Sequence, residues 1–74
     1  MTLLALAPFD WRKHRDEAVA SAEHEEGLAA FYASRAETAA TDENRAHFRD
    51  MAALALSNAR LARGMAARCA GMVP

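Results

Sequence analysis

The chain has 74 residues, a formal net charge of -1 and one cysteine. At that length a single core supplies only about 3–5 kcal/mol, which excludes a large catalytic domain and makes self-association or a partner the expectation. Nine Lys and Arg against ten Asp and Glu remove the general electrostatic case for nucleic acid or a membrane surface as partner, and the unpaired thiol of Cys69 favours a reducing, cytoplasmic setting.

Hydrophobic residues make up 53% of the chain, but 20 of them are alanine and 19 are larger, so any core is thin. Isoleucine is absent and Val19 and Val73 are the only valines, while alanine, arginine and glutamate dominate. This composition favours helix and leaves few residues suited to a sheet. The fold class expected is all-α.

Residues 1–9 form an apolar N-terminal segment. Met1, Leu3, Leu4 and Leu6 precede Pro8 without a basic n-region, and the apolar run is too short for a signal-peptide core or a membrane span. Leu3, Leu4 and Leu6 are expected to fold back on a helix end or to dock on a partner. A helical hairpin then occupies residues 10–71. Helix 1 is expected over about 10–40, with Asp10 as its cap, and helix 2 over about 42–70. Thr41 is a preferred N-cap, and Asp42 and Glu43 place negative charge where the first-turn N–H groups are free. Gly71 and Pro74 end the second helix, leaving residues 72–74 as a tail. The short connection demands an antiparallel pair.

At about 100° per residue, Trp11, Ala18, Ala22, Leu28, Ala29, Tyr32, Ala36 and Ala39 share one face of helix 1. On helix 2 the matching stripe is Phe48, Met51, Ala52, Ala55, Ala59, Ala62, Ala66 and Cys69. Leu54, Leu61, Met65 and Met72 widen it beyond what one partner helix can cover. The simplest closed solution is a homodimer of hairpins, a four-helix bundle, with Leu54, Leu61, Met65, Met72, Trp11 and Leu28 at the interface. A different protein partner is the other way to cover this flank.

Folding at residues 41–42 aligns positions whose numbers sum to about 83. Glu23 and Glu26 then approach Arg60, and Asp16 and Glu17 approach Arg63 and Arg68. His14 faces Cys69, and Glu25 faces Asn58, where a carboxylate opposite an amide is expected to make a buried hydrogen bond that sets register. Arg60, Arg63 and Arg68 read as solvated or paired within the hairpin. No glycine-rich phosphate loop, nucleophile elbow, paired-cysteine motif or HExxH is present.

Glu25 to Ala36, followed by Asp42 to Ala52, resembles the first helical hairpin of rubrerythrin-type ferritin-like proteins. In that family a ligand glutamate precedes an aromatic by seven residues, as Glu25 precedes Tyr32, and the next helix carries Glu-x-x-His. Here that motif reads Ala55-Leu56-Ser57-Asn58, with alanine for the bridging glutamate and asparagine for the histidine. The resemblance implies a ferritin-like hairpin shape without the di-iron activity. The expected function is a non-catalytic helical oligomerisation or adaptor module, with neither metal nor cofactor. The alternative is a ferritin-like miniature binding iron or zinc between subunits, with Glu25 and His24 as ligands.

Overall fold

The computed structural model describes residues 8–74 and consists of two helices, α1 (Trp11–Glu37) and α2 (Asp42–Gly71). They pack along their whole length as an antiparallel hairpin, with no strand among the described residues. Both start on side-chain caps. The Asp10 carboxylate accepts from the Lys13 backbone N–H at 3.0 Å, and the Thr41 hydroxyl accepts from that of Asn44 at 3.0 Å, each satisfying an N–H that lacks an intrahelical acceptor. Asp42 and Glu43 occupy the first turn of α2 as anticipated.

The helix ends differ from expectation in two details. α1 stops at Glu37 rather than near residue 40, because residues 38–41 are needed to reverse the chain, and Thr41 is already extended at φ -126°, ψ 154°. α2 runs through Gly71 and closes on the Met72 N–H, which donates to the carbonyls of Ala70 and Cys69. No described glycine has a positive φ, so this end does not use the left-handed glycine that terminates many helices.

The core is a seam of methyl groups. The buried hydrophobic residues among those described are Ala18, Ala22, Ala36, Ala55, Ala59, Ala62 and Ala66. Trp11, Leu28, Tyr32, Phe48 and Met51 flank this seam half-buried. No larger side chain among the described residues is fully enclosed, while Leu54, Leu61, Met65 and Met72 are 56%, 69%, 52% and 55% exposed. No described helix is long and apolar enough to cross a membrane.

Two substitutions test this packing by urea or thermal unfolding. Ala22 is 0% exposed, so Ala22→Leu must push the helices apart, with an expected loss of about 1–3 kcal/mol. Gly27 has nothing within 4 Å of where a Cβ would stand. Gly27→Ala is therefore expected to stabilise by about 0.5–1 kcal/mol through helix propensity alone.

Candidate functional site

The hairpin has two lateral flanks of opposite character, and helical geometry explains the division. Measured from the alanine seam at about 100° per residue, Met51, Asn58, Cys69, Met65, Leu54, Met72 and Leu61 fall roughly 50–130° to one side of α2. Leu28, Tyr32, Ser21 and His14 lie on the same side of α1. Shallow grooves run along this apolar flank. Trp11, Met65, Arg68, Cys69 and Met72 line the one at the open end, and His14, Glu17, Ala18, Ser21, Ala62 and Met65 line the next. Glu25, Leu28, Tyr32, Met51, Leu54, Ala55 and Asn58 line the third, toward the closed end.

The opposite flank is ionic. Arg63 donates through both Nε and Nη2 to the two carboxylate oxygens of Glu26, at 3.3 and 2.7 Å. Glu37, Arg45 and Arg49 line a groove on this flank, and Arg45 also pairs with Asp42 at 2.6 Å. The forked hydrogen bond from Arg63 holds the Glu26 carboxyl below the usual glutamate range, and Glu26 in turn raises the Arg63 guanidinium.

The structure corrects several expected pairings. Glu26 meets Arg63, not Arg60, because Arg63 lies about 70° from the seam and Arg60 about 130°, on the outer surface. Arg63 is thereby held away from Asp16 and Glu17. His14 was aligned with Cys69 by level alone. Its ring instead stacks on Phe9 at 4.3 Å with an interplanar angle of 9°, while Trp11 is the α1 residue beside Cys69. Glu25 and Asn58 do line one groove, but no polar residue is buried among those described. Asn58 is exposed and Glu25 half-buried because a single hairpin leaves the groove open on one side.

Phe9 is a residue whose role the sequence reading missed. It precedes the Asp10 cap and meets His14 four positions into α1, the spacing of a hydrophobic staple, and it also packs edge-on against Trp11 at 4.4 Å. The staple spacing across the cap was the available signal. At the closed end the Arg35 guanidinium lies over Phe48 at 5.7 Å and Phe31 at 6.0 Å, and Tyr32 stacks near Phe48.

The residues of one hairpin do not fit a di-iron centre. Glu25 is the sole carboxylate in its groove, His24 projects about 100° away from it, and no three described His, Cys, Asp or Glu side chains converge. Arg60, Arg63 and Arg68 spread over roughly 140° of α2 rather than forming one strip. No family model, curated protein or solved structure matches the chain.

The Glu26 carboxyl, lowered in the folded hairpin, contributes stability that is complete above its unfolded pKa and is lost as pH falls through the folded one. Comparing urea midpoints at about pH 7 and about pH 3 should therefore show a smaller acid-side loss for Glu26→Gln than for the wild type. Because both side chains are partly solvated, 1 M salt is expected to shrink the difference.

Proposed function

We propose that this chain is a small, non-catalytic self-association module of the cytoplasm, in which two hairpins bury their apolar flanks against each other as a four-helix bundle. The observation that carries this reading is the mismatch between core and surface: an all-alanine seam inside, and Leu54, Leu61, Met65 and Met72 gathered on one flank outside. Burying the exposed half of each such side chain contributes about 1 kcal/mol. A second copy suits this flank because a two-fold contact sets the same patch against itself. The charges are concentrated on the opposite flank, where they keep the dimer soluble and oppose further stacking.

A two-fold axis through the middle of the apolar flank would bring Glu25 and Asn58 of both copies to the bundle centre. There the amide can donate to the carboxylate, and enclosure by the second hairpin makes the bond worth more than at an open groove. The pair would then set the register of the two hairpins, the role expected of it from the sequence.

Sedimentation equilibrium and native mass spectrometry of metal-replete protein test the reading together. The wild type is expected as a dimer at micromolar concentration, and Leu54→Glu with Leu61→Glu as a monomer of lower melting temperature, since a charge at the packed interface lacks a partner. A well-folded wild-type monomer would overturn the bundle. Stoichiometric iron or zinc in the dimer, lost in Glu25→Gln, would instead support the intersubunit metal reading.

A further inference from the structure

We infer that the two hairpins pair with their closed ends at the same end of the bundle, so that α1 of each copy lies on α2 of the other and each Glu25 meets the partner's Asn58. The inference rests on the dimer proposed above and fixes its orientation, which the apolar flank alone leaves open.

A two-fold axis can set this flank against itself in two ways that keep the helices aligned. An axis across the helices stacks α1 on α1 and α2 on α2, with each closed end over the partner's open end. An axis along the helices stacks α1 on α2, with both closed ends together. In the second case the register is not adjustable, because any shift along the axis turns a closed pair into an open filament. Residues that share a level within one hairpin must then share it across the interface. The grooves show those levels: Glu25 with Asn58, Leu28 with Ala55 and Tyr32 with Met51 in one, and Ala18 with Met65 and Ser21 with Ala62 in the next.

The centre of the flank decides between the two. In a single hairpin Glu25 is half-buried and Asn58 exposed, and neither side chain makes a hydrogen bond among the described residues. An axis along the helices alternates the four groups around the bundle centre. Each carboxylate then has an amide on both neighbouring helices, and the carboxylates sit on diagonal helices about 14 Å apart rather than on neighbours about 10 Å apart. The partner's amide N–H groups donate to the carboxylate oxygens across the new interface. An axis across the helices at this level stacks carboxylate on carboxylate and amide on amide, which leaves like charges adjacent in an enclosed site.

The rim of the flank shows why the occupant is a second copy. Glu17 and Arg35 lie about 120° from the α1 seam on the apolar side, and Asp50 and Arg68 about 160° from that of α2, all of them exposed. Arg68 borders the open-end groove, and Arg35 lies over Phe31 and Phe48 at the closed end. Among the described residues Arg35, Asp50 and Arg68 enter no ion pair, and Glu17 approaches only His14, at 3.8 Å. With the closed ends together, Glu17 comes within about 3 Å of the level of the partner's Arg68, and Arg35 of the partner's Asp50, each contact being repeated by the two-fold. The crossed axis matches Glu17 with the partner's Arg35 and Arg68 with the partner's Asp50, so the rim argues for a second copy and the centre for its orientation.

Distance and charge reversal test the orientation separately. Ala40 is exposed in the chain reversal, outside both helices. Ala40→Cys in a Cys69→Ser background carries one nitroxide per hairpin. Pulsed dipolar spectroscopy of the dimer is expected to give a separation below about 30 Å, since both reversals lie at one end of a bundle about 20 Å across. The crossed axis puts Ala40 about 22 Å from the centre on each side, about 45 Å in all. In unlabelled protein at low ionic strength, Arg68→Glu is expected to weaken the dimer about tenfold by sedimentation equilibrium, and adding Glu17→Arg to restore it to within about twofold of wild type. With the crossed axis the second change sets a positive charge against the partner's Arg35 and weakens the dimer further. A separation near 45 Å, or a double variant weaker than Arg68→Glu alone, overturns the orientation and leaves the dimer standing. A wild-type chain that sediments as a monomer fails the dimer itself, and this orientation with it.

Discussion

The methyl-to-methyl seam is the constraint on which the rest of the molecule depends. Among the described residues seven alanines form its buried hydrophobic core, and side chains of that size let two helices approach closely along their length. Close approach has a consequence for every larger residue. Leucine and methionine do not fit between the helices and take the flanks, where a two-helix structure covers them on one side only, while Trp11 and Phe48 sit on the line of the seam near its two ends. Thus Trp11, Leu28, Tyr32 and Met51 are half-buried, and Leu54, Leu61, Met65 and Met72 stand in solvent. A larger seam residue would widen the gap without closing the flank.

With the large residues forced sideways, the two flanks of the hairpin differ in character. The Glu26–Arg63 fork and the Arg45–Asp42 pair lie on one side, and the apolar grooves on the other. The ionic flank does more to orient than to stabilise, since exposed pairs are worth little in water. Its orienting role follows from geometry: Arg63 spans both helices beside the seam, so sliding one helix past the other by a turn would break both of its hydrogen bonds. Caps at Asp10 and Thr41 fix the helix starts independently, and the tight reversal over residues 38–41 then leaves little freedom in register.

The hairpin was legible in the sequence because its determinants are local or periodic: alanines at helical spacing, two capping residues, an acidic first turn and no proline between residues 9 and 73. The seam was legible for the same reason. Less so were contacts that depend on how far a side chain swings from the seam. A register sum places Glu26 opposite the level of Arg60, but it takes no account of the angle around the helix, and angle selected Arg63. His14 and Cys69 were aligned by level in the same way, yet Phe9 draws the His14 ring toward the start of α1. Burial of Glu25 and Asn58 was beyond a single chain, because whether their groove is open or closed depends on what covers it.

The apolar flank changes character along its length. Met65 and Met72 line the groove at the open end with Trp11 and Cys69, whereas Leu54 lies with Leu28, Tyr32, Glu25 and Asn58 in the groove toward the closed end, about 27 Å of helix from Met72. Thioether side chains adapt their shape to whatever packs on them, while branched leucines hold well-defined rotamers. The two ends of one flank therefore differ in how narrowly they constrain a contact: the open end accepts varied shapes, and the closed end, with a carboxylate and an amide beside its leucines, is the stretch that can set a register.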